Sequence, residues 1–285
     1  MTSTDKKPLF EVVTTSAGVR SIRNNFVNET MHNPVGPWAE SNELYIKQSQ
    51  LEKKLQCGEH DEVIVFDVGL GAAANAVAAF HCAKNLKNCK TCLRVISFEK
   101  DLRLLEFTLK NASEFEHLLG FESALSQILT KGHWSDGNLS WELREGDFTE
   151  LIKREELFPN IVFFDPYSPA VNEEMWTEAC FKDLYNCCSR NKLSDTTLFT
   201  YSRATPIRAA LFAAGFFVGS GDATGLKSET TQAATYFERI NSPLDRRWLQ
   251  RWHRSHTPYP FDCTPPNQEN FRIKLLSHPQ FQKNC

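Results

Sequence analysis

No run in the 285-residue sequence is long and apolar enough to span a bilayer. The nearest candidates, at 72–83 and 209–218, are broken by Asn, His or Gly. The first eight residues are polar and lysine-containing with no apolar stretch behind them, so neither a secretory signal nor an anchor is expected there. A soluble, cytoplasmic protein with no membrane partner is the expectation. Charge of one sign is also missing. With 32 Lys and Arg against 35 Asp and Glu the net charge is −3, so any nucleic-acid binding must come from a local patch. A disulfide framework is excluded by nine scattered cysteines, an odd number that reads as cytosolic thiols. Cys89 and Cys92 form a CxxC without a second pair at zinc-finger spacing, and Cys187–Cys188 is a vicinal pair in a predicted helix. No metal site is expected, because a structural zinc normally needs four ligands. Internal repeats and low-complexity segments are absent too.

What the sequence does hold is bulk and alternation. Its 21 Phe and six Trp supply a core, and the length suits one large α/β domain with small appendages. From residue 62 onward, β-branched and aromatic runs alternate with amphipathic stretches. Strands are expected at 62–68, 93–99, 139–144, 160–165, 196–201, 216–218 and 231–239. Helices are expected at 75–86, 102–118, 173–189 and 206–214. This alternation predicts a mostly parallel, seven-stranded sheet covered by helices on both faces. Ahead of it, 1–58 reads as an extension made of a hairpin (10–23, turning at Ala17–Gly18) and a helix (41–55, with Ser41 as N-cap). The main domain is placed at 59–240. The stretch 241–285 reads as a Trp/Arg-rich extension ending in an irregular tail.

Chemistry concentrates where the predicted strands end. Asp67-Val-Gly-Leu-Gly-Ala-Ala-Ala-Asn75 follows the first main strand, and Gly69 and Gly71 let the backbone turn sharply and approach a ligand. The string equally fits a dinucleotide fingerprint with Ala at its third position, which leaves a nicotinamide-dependent oxidoreductase open. Glu99 ends the second strand, where a carboxylate can accept both hydrogen bonds of a ribose diol. Asp147 and Phe148 follow the third strand, suited to an adenine amino group and ring, although Asp147 with Glu150 also forms a capping box. Asp165-Pro-Tyr-Ser-Pro169 follows the fourth. There an acid, an aromatic and proline-fixed backbone face the edge at which open α/β sheets bind ligands. Taken together, the four features occur in the order of a class I S-adenosyl-L-methionine-dependent methyltransferase with a Rossmann-like fold. A nicotinamide enzyme accounts for the first two only.

At these residues the sequence resembles the methyltransferase domain of the MnmC family, which acts in tRNA 5-methylaminomethyl-2-thiouridine biosynthesis, and stand-alone proteins built from that domain. The likeness is carried by DVGLGAAAN (67–75), LSWELREGDFTEL (139–151) and FFDPYSPAVNEEMW (163–176). TLFTYSRATPIRAALFAAGF (197–216), GLKSE (225–229), ETMHNPVGPWAESNELYI (29–46) and WLQRWHRSHTPYP (248–260) extend it, so that it covers roughly 16–260. There are two departures. Ala73 replaces the third glycine, a conservative loss if its φ is negative, and Val171 stands where the family often has lysine. No flavin-dependent oxidase segment is seen, so the methyltransferase alone is expected.

The resemblance implies S-adenosyl-L-methionine as cofactor, held by Asp67, Gly69, Gly71, Asn75, Glu99, Asp147, Phe148, Asp165 and Pro166. It implies methylation of the primary amine of 5-aminomethyl(-2-thio)uridine at the tRNA wobble position, with Asp165 handling the amine and Tyr167 against the uracil. Lys227 is expected at the nucleotide. Arg247, Arg251 and Arg254 are expected to dock the anticodon region of tRNA, with Arg20 and Arg23 extending the patch. Trp248 and Trp252 are expected either to stack on bases or, given their i, i+4 spacing, to pack on the core. A separate oxidase or aminomethyl-forming enzyme is the expected functional partner. Alternatives are a methyltransferase of a small-molecule amine and a non-catalytic binding module on the same fold.

Overall fold

The computed structural model describes residues 8–31, 35–87, 89–190, 195–225 and 228–282. The chain opens with an antiparallel three-stranded sheet of β1 (Phe10–Thr14), β2 (Arg20–Asn24) and β3 (Glu29–Thr30). A helical stretch follows, from α1 (Pro37–Glu40) through a π-helical turn (Ser41–Lys47) to α2 (Leu51–Gln56). The alternating unit then runs β4 (Glu62–Val68), α3 (Ala74–Lys84), β5 (Cys92–Glu99), α4 (Arg103–Lys110), α5 (Glu122–Lys131), β6 (His133–Asp136), β7 (Leu139–Glu145), α6 (Phe148–Leu151), β8 (Ile161–Phe164), α7 (Glu178–Ser189), β9 (Thr197–Thr200), α8 (Thr205–Ala214), β10 (Phe217–Gly221) and β11 (Thr230–Ala234). It is closed by α9 (Arg246–His253), α10 (Gln268–Leu276) and α11 (Pro279–Gln282).

The main sheet is ordered β10-β11-β9-β8-β4-β5-β7-β6. The five strands from β9 to β7 are mutually parallel, and β11 and β6 run against their neighbours. Because side chains alternate across a strand, each strand feeds two cores. Val63, Val65, Leu93, Val95, Ile161 and Phe163 join the one covered by α3, α4, α5 and the N-terminal helices. Phe66, Val68, Ile96, Phe98, Val162 and Phe164 join the one covered by α7, α8 and the C-terminal helices. Both flanking segments are packed into these cores, through Leu44, Tyr45 and Leu51 on one side and Trp248, Trp252, Phe271 and Phe281 on the other.

Several elements differ from their expected form. The sheet has eight strands rather than seven. The extra edge strand β6 pairs with β7 across a two-residue Gly137-Asn138 turn in which Gly137 takes φ 61°. The helix expected at 102–118 stops at Lys110 and passes through two 3₁₀ turns before α5. The helix expected to start at Ser41 begins instead at Pro37, whose fixed φ suits a first helical position. It loses α-geometry over Ser41–Lys47 and breaks at Gln50, which is left-handed with φ 54°. Ser41 is therefore not an N-cap; it ends α1 as its C-cap, with its N–H donating to the Pro37 carbonyl. The tail expected to be irregular forms α10 and α11.

Candidate active site

Parallel β4, β5 and β8 end at one edge. From β4 the chain goes out to β5 and β7 on one side and returns to β8 on the other. A crevice opens at the carboxyl ends of the strands wherever the order reverses in this way. Here it is a cavity of about 540 Å³, within the range of small-molecule sites. Four main-sheet segments line it, namely the Gly69–Gly71 turn, 98–100, 146–148 and 165–168. The N-terminal segment adds 28–31 and Glu40, and Tyr201, Asn172, Glu174 and Met175 complete the wall.

The turn after β4 works by close approach. Gly69 takes φ 87°, and a Cβ there would lie 2.7 Å from the Asp165 carbonyl oxygen and 3.0 Å from Pro166 Cα. Gly69 N–H donates to the Phe98 carbonyl, and Gly71 N–H donates to Glu99 Oε2 at 3.0 Å. Ala73 takes φ 63°, so the condition under which losing the third glycine is conservative does not hold. An alanine in that region costs about 1 kcal/mol or more, and the buried packing of its methyl group offsets part of this.

Asp165 follows β8 and still presents surface to the cavity, with protein on its other sides. Its Oδ2 accepts from Asn75 Nδ2 at 2.8 Å, and Asn75 Oδ1 in turn accepts from Ser41 Oγ at 2.6 Å. The Tyr45 hydroxyl sits against the same carboxyl without a hydrogen bond of ordinary geometry. Burial first, then the Glu40 charge, pushes the Asp165 carboxyl up to about 7, against the opposing influence of Asn75 and Tyr45; Asp67 adds a smaller upward push. The loop that carries it is tied down. Tyr201 Oη donates to the Pro166 carbonyl at 3.0 Å, Trp176 Nε1 to the Tyr167 carbonyl at 2.8 Å, Asn24 Nδ2 to Tyr167 Oη at 3.1 Å and Ser168 Oγ to Glu29 Oε1 at 2.5 Å.

Glu99, Asp147 and Phe148 all reach the cavity wall. Glu99 also accepts from the Lys100 and Asp101 N–H groups, and burial raises its carboxyl above the ordinary range despite these bonds. Asp147 caps α6 by accepting from Thr149 N–H and pairs with Lys100 Nζ at 2.8 Å, which holds its carboxyl low. Its capping role and its place on the cavity wall therefore coexist. Phe148 packs edge-on against Phe98.

Other expected site residues lie elsewhere. Asp67 and Asn75 are not on the cavity wall. Asn75 acts one layer behind it, through Asp165. Asp67 is buried, accepts from Ser97 Oγ at 2.8 Å and leaves Oδ1 without a partner. Arg247, Arg251 and Arg254 lie on the exposed side of the α9 segment, outside the cavity. Trp248 and Trp252 face the core, which removes the base-stacking reading for them. Arg20 pairs with Glu114, and Arg23 with Asn28. Lys227 lies outside the described residues. Glu29, Glu40, Met31 and Tyr201 are wall residues that motif reasoning did not single out as site residues. Among the described residues, no group of three or more His, Cys, Asp or Glu could hold a metal ion, and no helix is long and apolar enough to cross a membrane.

The buried Asp67 carries a pH signature. Burial pushes its carboxyl up to about 7, opposed by the Ser97 hydrogen bond and helped by the Glu99 charge. The folded value lies above the unfolded one of about 3.9, so folding penalises the ionised form. That cost is absent below about pH 4, grows between 4 and 7, and is complete above 7. Asp67→Asn is expected to gain on the order of 2–4 kcal/mol at pH 8, with the gain shrinking toward pH 4. Urea unfolding at pH 8 and pH 5 measures this, and an equal effect at both would remove the titration account.

Residues 112–236 match a family model described as S-adenosyl-L-methionine-dependent methyltransferase. The tRNA 5-methylaminomethyl-2-thiouridine biosynthesis bifunctional protein MnmC of Pseudomonas putida is 24% identical over 221 residues, which is 75% of this chain and 33% of that protein. Its counterpart in Campylobacter concisus is 26% identical over 259 residues, 89% of this chain and 38% of that protein. The chain thus spans about a third of the length of these curated relatives. The crystal structure of MnmC2 from Aquifex aeolicus matches with a TM-score of 0.69 at 22% identity, covering 96% of this chain and 85% of that one. The fold is that of a class I methyltransferase, and the resemblance to MnmC read from the motifs extends over most of the chain.

Proposed function

We propose that this chain, a class I methyltransferase by fold, is an S-adenosyl-L-methionine-dependent N-methyltransferase. It converts 5-aminomethyl(-2-thio)uridine to 5-methylaminomethyl(-2-thio)uridine at the tRNA wobble position. The observation that carries this reading is Asp165, a carboxylate held by Asn75 in the same cavity as the Gly69–Gly71 turn. The MnmC names of its relatives supply the tRNA substrate.

The residues fit the cofactor. Gly69 leaves a cradle that a Cβ would fill, and Glu99, Asp147 and Phe148 offer acceptors and a ring beside it. When bound there, S-adenosyl-L-methionine supplies an electrophilic methyl group on a sulfonium, and the C–S bonding pair stays on sulfur. The protein must supply a nucleophile. A primary alkyl ammonium has a pKa of about 10 and no free lone pair, so the site has to remove a proton. Asp165, pushed up to about 7, is basic enough to take it, and about half of it is ionised in neutral solution. Holding donor and amine in one cavity supplies most of the remaining acceleration. Tyr167, fixed through Asn24 and Trp176, lines the pocket against the uracil.

The exposed arginines of the α9 segment are the proposed contact with the anticodon region. Arg251 lies close enough to Glu229 and Arg208 for its charge to act on both, and the Arg203 charge acts on Arg208 as well. Replacing Arg247, Arg251 and Arg254 together by Ala is expected to weaken tRNA binding and lower the salt slope by about two to three units. Fluorescence titration across a salt series checks this, and an unchanged slope would take α9 out of the interface. A separate oxidase or aminomethyl-forming enzyme supplies the primary amine, and the cytoplasm is where the reaction is placed.

The experiment that tests the whole reading is transfer of labelled methyl to tRNA from a strain lacking the activity, followed by nucleoside analysis. A 5-methylaminomethyluridine product is expected. Binding of the cofactor with no label in tRNA would overturn the substrate and point to a small-molecule amine.

A further inference from the structure

We propose that Glu40 is the counter-charge of the amine subsite, gripping the substrate ammonium together with Asp165 while Asp165 takes the proton. This rests on the amine-methylating reading above and assigns a residue from the N-terminal segment to it.

The geometry places the two carboxylates on one wall. Glu40 is 6% exposed and what it exposes faces the cavity, as Asp165 does. Its neighbour Ser41 is bound to Asn75, which is bound to Asp165, so one side-chain amide ties residues 41 and 165 together. The π-helical turn starts at Ser41, and such turns re-aim side chains at functional sites. Here it packs Tyr45 beside Asp165 and against Phe163.

Two carboxylates on one sheltered wall repel each other, and a cation between them relieves the repulsion. The groups around Asp165 are Glu40 and Tyr45 from the helical stretch, Asp67 from β4, Asn75 from α3, Tyr201 after β9, and Glu29 on β3 near Tyr201. Among those groups the Glu40 charge has the largest hold on Asp165, while Asp67 turns toward Ser97 and Glu29 accepts from Ser168. In the step itself one ammonium N–H bond breaks, an O–H bond forms on Asp165, and nitrogen keeps the bonding pair. Two carboxylates and an ammonium become one carboxylate, one carboxylic acid and a neutral amine, with the net charge unchanged. The same pair disfavours an acceptor that carries a carboxylate of its own.

The test uses Glu40→Gln and Glu40→Asp in the full chain. The first readout is the titration of the Asp165 carboxyl by ¹³C NMR without cofactor or substrate, with its signal identified by loss in Asp165→Asn. Glu40→Gln is expected to lower that midpoint by about one pH unit, and Glu40→Asp to keep it nearer the wild-type value. The second readout is methyl transfer. Glu40→Gln is expected to lose about 10²-fold in kcat/KM and to shift the acid limb to lower pH, with cofactor affinity within about twofold. An unmoved Asp165 midpoint overturns the proposal, as does an unmoved kcat/KM. If the wild-type protein methylates no tRNA, the function reading fails, and the NMR titration still decides the coupling of Glu40 to Asp165.

Discussion

Asp165→Asn is expected to lower methyl transfer about 10³-fold while leaving S-adenosyl-L-methionine affinity within about threefold. The substitution is nearly isosteric, and its side-chain oxygen can still accept the Asn75 Nδ2 bond that positions residue 165. What is lost is the capacity to take a proton. Asp165→Ala acts in the same direction but also leaves the buried Asn75 amide without its acceptor, so Asn is the cleaner variant. The pH dependence follows from the carboxyl being pushed up to about 7. The base must be ionised, so the wild-type rate falls about tenfold per unit as pH drops below that value. The Asn variant shows no such limb. Single-turnover rates from pH 5.5 to 8.5, beside calorimetric cofactor titrations, measure both quantities. Residual turnover above a tenth of wild type would remove Asp165 from proton handling and leave it an orienting group.

Much of this site is visible in the sequence because it is built from strand ends. The apolar-rich runs of β4, β5 and β8 are legible through residue type alone, and each carries its chemistry at its end or just beyond it: Gly69, Glu99, Asp165. Glu29 and Glu40 carry no such local mark. Glu40 sits at the end of a short helix, and only tertiary packing, through Ser41 and Asn75, brings it to Asp165. The conformation of Ala73 was hidden for a similar reason. A residue type does not report its own φ, and a left-handed alanine survives only where the fold compensates. Trp248 and Trp252 illustrate the opposite case, in which i, i+4 spacing alone pointed to the core, and Arg247, Arg251 and Arg254 around them were left to solvent. The edge strand β6 had a readable signal in its Gly-Asn turn, while α10 mixes buried Phe271 and Leu275 with an exposed Ile273, which blurs its helical face.

Gly69→Ala is expected to weaken cofactor binding at least about 10²-fold and to destabilise the fold by about 2–3 kcal/mol. Two costs combine. At φ 87° an L side chain is strained, and its Cβ would stand 2.7 Å from the Asp165 carbonyl oxygen and 3.0 Å from both the Asp165 carbonyl carbon and Pro166 Cα. The atoms it meets are backbone and have little room to yield. Asp165 N–H donates to the Val68 carbonyl at 2.9 Å, Tyr201 holds the Pro166 carbonyl, and Trp176 holds that of Tyr167. Relief then requires moving the glycine turn into the cavity or displacing Asp165, and either change spoils the cradle. Gly18→Ala separates the two costs, since Gly18 has φ 78° with nothing within 4 Å of its added Cβ. It is expected to lose about 1 kcal/mol of stability and no cofactor affinity. Gly71→Ala falls between them, because its added Cβ meets the flexible Met31 methyl at 3.3 Å rather than backbone. Calorimetric titration and urea unfolding of the three variants rank them directly. Cofactor binding by Gly69→Ala within about fivefold of wild type would mean that the methyl donor does not rest on this turn, and the pairing of donor and amine around Asp165 would fall with it.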